Sequence, residues 1–158
     1  MNRRQANVSN VQQPKNRVSH VVYCFRDENL DKAADFLTNV LGAKFEDSSR
    51  PELGLRIFVS FENGLELIAP SPDIGAVGER FTRFLDEHGE GVYNIVYGVE
   101  DLDETSERAK PYGVGVTHRS SFADLPPWKG RFDVLDEAHF EPYLGMTITL
   151  GRIEPTAS

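Results

Sequence analysis

One order of elements, strand, helix and three more strands, runs twice along this chain, and that repeat constrains the fold more than any other feature. The first copy opens with Val18-Ser19-His20-Val21-Val22-Tyr23-Cys24-Phe25, β-branched and aromatic and mostly apolar on both parities, as in a strand covered on both faces. Asp27-Glu28-Asn29 then offers N-cap residues, and Leu30, Ala33, Ala34, Leu37 and Leu41 recur at helical spacing before Gly42. Three strand-like pieces follow: Lys44 to Asp47, Leu55 to Phe61, and Leu65 to Ala69. Glu62-Asn63-Gly64 joins the last two with a hairpin signal, and Pro70 and Pro72 stop the sheet. A connecting helix over Val77 to Glu87, with Phe81, Phe84 and Leu85 on one side, ends at Gly89 and Gly91.

The order then recurs. Val92 to Val99 reads as a strand, and Asp101-Leu102-Asp103 opens a helix with Leu102, Thr105, Ala109 and Tyr112 on one stripe and Gly113 beyond it. Val114 to His118, Arg131 to Leu135 and Met146 to Leu150 supply three more strands. Asn29-Leu30-Asp31 matches Asp101-Leu102-Asp103 at an offset of 101 − 29 = 72, and Leu41-Gly42-Ala43 matches Tyr112-Gly113-Val114 at 112 − 41 = 71. His20 pairs with Asn94 at 94 − 20 = 74, and Glu66 with Thr149 at 149 − 66 = 83, which places an insertion at Ser120 to Gly130 in the second copy. The expectation is an α+β protein of tandem βαβββ modules forming a curved, barrel-like mixed sheet. The modules cover 18–72 and 91–154 and are joined by the helical segment 73–90, with a flexible tail at 1–17 and a short one at 155–158.

With 158 residues, 39% of them hydrophobic, the chain can bury one core. Cys24 is the only cysteine, which excludes an internal disulfide and a cysteine-rich zinc site and leaves it as a buried strand residue. A net charge of −8 without a basic block argues against nucleic acid as partner. No apolar run approaches the roughly 20 residues of a membrane helix, and Met1-Asn2-Arg3-Arg4-Gln5 leads into polar residues instead of a signal-peptide core, so the expected location is the cytoplasm, with no membrane partner.

Four strings carry a resemblance: His20-Val21-Val22, Ala34-Asp35-Phe36-Leu37-Thr38-Asn39-Val40-Leu41-Gly42-Ala43, Gly64-Leu65-Glu66-Leu67-Ile68-Ala69-Pro70, and Gly89-Glu90-Gly91-Val92-Tyr93-Asn94-Ile95-Val96. From Val18 to Glu154 the chain resembles the glyoxalase/bleomycin resistance/dioxygenase, or vicinal oxygen chelate, superfamily, and within it methylmalonyl-CoA epimerases most. The resemblance is specific for fold and not for reaction, because the superfamily spans isomerases, epimerases, lyases, dioxygenases, thiol transferases and drug-sequestering proteins. It implies a small-molecule cavity, a homodimer, and a divalent metal held by the first and fourth strands of each module. On that pattern His20 and Glu66 match two ligands, while Asn94 and Thr149 stand where a histidine and a glutamate are usual. An amide oxygen is a weak ligand and a hydroxyl a poor one, so water would have to complete the shell and affinity should fall.

The residues themselves leave alternatives open. A lone sheet histidine is commonly a hydrogen-bonded core residue, whereas Glu66 between Leu65 and Leu67 must either face solvent or face a site, since a buried carboxylate costs several kcal/mol unless paired. Without a metal, His20 and Glu66 still make a proton-transfer pair. His118 and Arg119 at a strand end suit an anionic ligand group or a solvated edge. Glu137 to Tyr143 reads as a loop before the last strand, with His139 as an acid or base, Tyr143 as a donor and Glu141 beside them. Trp128 either lids an apolar ligand or packs its own loop, and Tyr93, Tyr97, Phe58 and Phe61 read as packing. Two functions follow. The first is a lyase or isomerase, epimerase-like, that moves a proton beside a carbonyl with His20 and Glu66 catalytic and Asn94, Thr149, His139, Tyr143, Trp128 and His118 around the substrate; the second is a non-catalytic binding or sequestering protein of the same fold.

Overall fold

The computed structural model describes residues 16–71 and 75–157; residues 1–15 of the expected tail, Pro72 and Ser158 lie outside the described residues. The element order is β1 (Arg17–Cys24), α1 (Asp27–Leu41), β2 (Glu46–Asp47), β3 (Leu55–Ser60), β4 (Leu65–Pro70), α2 (Ala76–His88), β5 (Gly91–Gly98), α3 (Leu102–Ala109), β6 (Val116–Ser121), β7 (Phe132–Phe140) and β8 (Ile148–Pro155). The class is α+β, as the sequence predicts. The chain divides into two compact units, His20–Val96 and 97–157, the latter grouped with 16–19.

In the first unit the strands lie in the order β2-β3-β4-β1-β5. β1 runs parallel to β4 with Val22 opposite Glu66 and Cys24 opposite Ile68, and β3 runs antiparallel to β4 with Val59 opposite Glu66. Side chains alternate between faces along each strand, so these pairs sort the unit into two layers. Tyr23, Leu67 and Ala69 turn to α1, where they pack with Leu30, Ala33, Ala34 and Leu37. Val22, Cys24, Ile68 and Val96 turn the other way and pack against Phe81 and Leu85 of α2.

Helix α1 ends as its sequence predicts: Gly42 adopts a left-handed conformation (φ 70°) and its N–H donates to the Leu37 and Thr38 carbonyls. Its start differs. Arg26 is the N-cap and its side chain makes no capping bond; instead the distant Glu90 carboxylate accepts from the Arg26 N–H (2.8 Å) and from the Asn29 amide (3.0 Å). An anion at a helix N-terminus is favoured by the orphan N–H groups there. The Asn29 and Arg26 hydrogen bonds hold the Glu90 carboxyl below the usual range.

In the second unit the order is β8-β7-β6, all antiparallel. Ala138 and Leu150 pack with Leu102 of α3, and Tyr97, Val116, Phe140 and Ile148 surround them. The Asp101 side chain caps α3 by accepting from the Glu104 N–H at 2.8 Å, as predicted. The stripe of α3 runs Leu102 to Ser106 instead of on to Tyr112, which is 69% exposed, because Pro111 tightens the last turn into a 3-10 helix over Lys110–Tyr112.

Several strand limits move. The expected strand at Lys44 to Asp47 shrinks to the two residues of β2, Val114 to His118 becomes Val116–Ser121, and Met146 to Leu150 becomes Ile148–Pro155. The largest correction is β7. It runs nine residues to Phe140 and takes in Glu137 and His139, which read as loop in the sequence. Ser120 and Ser121 belong to β6, so the inserted connection is the stretch from Phe122 to Arg131.

Two outcomes check this arrangement. Cys24 is fully buried and its thiol is pushed up to about 12, by burial first and by Glu90 second, so native protein at pH 8 should not react with a thiol reagent and urea-unfolded protein should react stoichiometrically. The depressed Glu90 carboxyl stabilises the fold only while ionised: its contribution is complete above its unfolded value and is lost as pH falls through its folded one. Amide exchange in the first turn of α1 should therefore be faster in Glu90→Gln than in wild type at neutral pH, and the difference should close on acidification.

Candidate active site

Within the first unit, His20 and Glu66 stand side by side. Glu66 lies opposite Val22 in the parallel ladder, and His20 shares the face of Val22, so both side chains leave the sheet on the side away from α1. Their Nε2 and Oε2 atoms are 3.5 Å apart, with side-chain exposures of 18% and 24%. Glu66 thus lies on the face away from α1, half-buried beside His20. A carboxylate so far removed from water needs a positive or hydrogen-bonding neighbour, and the imidazole supplies one. Asn94, two residues before Val96 on β5, shares the face of Val96 and is 5% exposed. Beyond this polar end the face is apolar and covered: Val22, Cys24, Ile68 and Val96 pack against Phe81 and Leu85 of α2.

The second unit gathers Thr149, His139 and His118 in one row across β8, β7 and β6: His139 is opposite both Thr149 and His118. Their face is the one away from α3, which takes Ala138 and Leu150. His139 Nδ1 lies 2.9 Å from Thr149 Oγ1, and its Nε2 lies 3.5 Å from Glu137 Oε2, two residues earlier on the same face. The His118 and His139 rings stack at 5.7 Å between centroids, tilted by 30°. Glu137 is the member that sequence reading missed; its signal was a spacing of two from His139, visible only once the segment is read as a strand.

The remaining expected site residues have structural occupations. Trp128 meets Phe132 edge-on and carries the Arg131 guanidinium 5.6 Å from its ring centre. Arg119 pairs with Asp103 at 2.8 Å, and the Glu141 carboxylate accepts from the Gly115 N–H at 3.1 Å. Tyr143 meets Tyr112 edge-on at 6.3 Å at the base of the turn that joins β7 to β8. Tyr93, Tyr97 and Phe58 pack against the cores, as expected.

The donor chemistry can be tested against a divalent metal. Two ligand atoms about 2.1 Å from a tetrahedral ion lie roughly 3.4 Å apart, so His20 Nε2 and Glu66 Oε2, at 3.5 Å, fit two corners of such a shell. Asn94 offers only a weak amide oxygen. Among the described residues no three His, Cys, Asp or Glu side chains converge as a metal-binding group. The pair could hold an ion with water; it lacks the three strong protein ligands of a typical catalytic zinc site.

Residues 19–128 match the family model of the glyoxalase/bleomycin resistance protein/dioxygenase superfamily. The chain belongs to that superfamily. No curated protein gives a significant match. Among solved structures, the superfamily fold of this chain is similar to a hypothetical protein from Bacillus halodurans (18% identity, 90% of this chain and 97% of that one covered, TM-score 0.66). It is similar also to the methylmalonyl-CoA epimerase from Mycobacterium tuberculosis (19% identity, 94% and 95% covered, TM-score 0.62). A third is a Streptomyces coelicolor methylmalonyl-CoA epimerase variant in complex with 2-nitronate-propionyl-CoA (23% identity, 87% and 97% covered, TM-score 0.61). At these identities the likeness speaks for the glyoxalase-type fold. Among the described residues no helix is long and apolar enough to cross a membrane.

Thr149 is 1% exposed, so Thr149→Val should cost about 1–2 kcal/mol by removing the partner of the His139 Nδ1. Urea unfolding checks the value. A double-mutant cycle with His139→Phe should show the two costs to be less than additive.

Proposed function

We propose that the chain is a lyase or isomerase, epimerase-like, that moves a proton on the carbon beside a carbonyl of a small oxygenated substrate. The observation that carries this reading is the His20–Glu66 pair, held on adjacent parallel strands at 3.5 Å and largely shielded from water. With the Nε2 proton turned toward Glu66, Nδ1 carries the lone pair that takes the substrate proton, and the carboxylate stabilises the imidazolium that results. The electron pair of the broken C–H bond moves onto the carbonyl oxygen as an enolate. The Asn94 amide, on the same face, orients that oxygen in this reading. Delivery of a proton from water to the opposite face of the carbon, while the His20 imidazolium gives up its own to solvent, yields an epimer; expulsion of a group one carbon further on gives a lyase. A divalent ion, when bound at His20 and Glu66, would add Lewis-acid stabilisation of the enolate oxygen.

The fold shared with methylmalonyl-CoA epimerases supports this direction and supplies a first probe. The superfamily's own description, which includes bleomycin resistance proteins, supports the second reading, a protein that holds a small molecule without turning it over.

Proton NMR of methylmalonyl-CoA in D2O with the protein tests both. The enzyme reading expects loss of the α-proton signal at a rate that His20→Ala and Glu66→Gln each lower by about 100-fold or more. Unchanged exchange in His20→Ala would overturn the role of His20. Saturable binding by wild type without exchange would favour the holding protein.

A further inference from the structure

We propose that Asn63 is a site of spontaneous covalent modification, at which the Gly64 backbone nitrogen displaces the side-chain amide of Asn63 with Ser60 assisting. The inference does not rest on the proton-transfer reading above, and no readout in its test uses turnover.

The chain has a single Asn-Gly pair, in the turn between β3, which ends at Ser60, and β4, which begins at Leu65. A glycine after asparagine puts no side chain in the way of its own nitrogen. Asn63 is exposed, so base and water reach it. The Gly64 N–H donates to the Phe61 carbonyl at 3.3 Å, beyond the roughly 2.7–3.2 Å of a firm hydrogen bond, and is held only loosely. Ser60 completes the arrangement. It is 1% exposed, and its hydroxyl donates to Asn63 Oδ1 at 3.0 Å. A fixed donor on that oxygen draws electrons from Cγ and stabilises the negative charge that grows on Oδ1 as Cγ becomes tetrahedral, as an oxyanion hole does.

The step balances without oxidant or cofactor. Base removes the Gly64 amide proton and the nitrogen forms a bond to Asn63 Cγ. The Cγ–Nδ2 bond then breaks, its electron pair leaving with the nitrogen, which takes up a proton and departs as ammonia. Water opens the five-membered imide that results. Attack on one of its carbonyls gives aspartate at this position; attack on the other gives isoaspartate, whose main chain runs through the former side chain and is one carbon longer.

That extra carbon lands beside the candidate active site. The Val21 N–H donates to the Gly64 carbonyl at 3.0 Å, the rung that ties β1 to the start of β4, and Val21 follows His20 directly. A main chain lengthened just before Gly64 shifts that carbonyl away from Val21. Aspartate keeps the chain length, and its carboxylate still accepts from Ser60. Isoaspartate therefore loosens the His20 end of β1, and aspartate does not.

The test is incubation of full-length native protein at pH 6 and pH 8, with peptide mapping by mass spectrometry, enzymatic detection of isoaspartate, and amide exchange on the charge-separated products. The expected result is conversion at Asn63, faster at pH 8, absent in Asn63→Gln and at least about threefold slower in Ser60→Ala. Loosening of the turn by Ser60→Ala would speed the reaction, so a slower variant is not a misfolded one. The Val21 amide should exchange faster in the isoaspartate product, and at the rate of fresh protein in Asn63→Asp. A native chain that keeps Asn63 intact while its urea-unfolded form converts would overturn the site. Conversion at least as fast in Ser60→Ala as in wild type would overturn the part given to Ser60, and Val21 exchange unchanged by isoaspartate would overturn the effect on β1.

Discussion

The packing of Leu67 and Ala69 against Leu30 decides where the chemistry of the first unit can be. These residues are fully buried, and in a strand their burial on one face sends Glu66 and Ile68 to the other. A slip of one residue in β4 would put the Glu66 carboxylate into the α1 interface and Leu67 onto the site face, exchanging a well-packed leucine for a charge without a partner, at several kcal/mol. The register opposite β1 is therefore over-determined, and the neighbour of Glu66 follows from it: His20, two residues before the position that Glu66 faces.

The same constraint works in the second unit with different residues. Ala138 and Leu150 are committed to α3, which leaves Glu137, His139 and Thr149 on the other face. Thr149 is almost fully buried there, and a hydroxyl in that position needs a hydrogen-bond partner; the His139 ring nitrogen is one. Each unit thus holds one histidine and one glutamate at 3.5 Å, on different strand pairs: across parallel β1 and β4 in the first, and along β7 alone in the second.

Much of this was legible in the residues because local signals and the global pattern agree. Gly42 and Gly113 mark helix ends, Asp101 caps α3, and the near-constant offset between the copies orders the elements. Alternation tied His20 to the parity of Val22 and Cys24, and Asn94 to that of Val96; that Glu66 shares the face of His20 needed the register of β1 against β4. β7 could not be read so easily. A register shift between Phe132 and Val134 breaks the alternation near its start, and the later part, Asp136-Glu137-Ala138-His139, carries polar residues on the site face, which is also how a loop reads. The polar end of a strand is hidden for the same reason that it is useful. Glu90 at the start of α1 was equally out of reach, because a cap supplied from 64 residues away leaves no trace in local spacing.

That cap has a consequence for the order in which the chain can mature. A ribosome that has released residues up to Pro70 has delivered the whole first strand-helix-strand series, yet neither the carboxylate that closes the start of α1 nor β5, the edge of the first compact unit, has been made. The nascent first half must wait, with one sheet edge open, for α2 and then Glu90 and β5 to emerge before its helix is capped and its sheet complete. The boundary of the first unit in space, inside β5, is therefore later than the boundary of the first repeat in sequence.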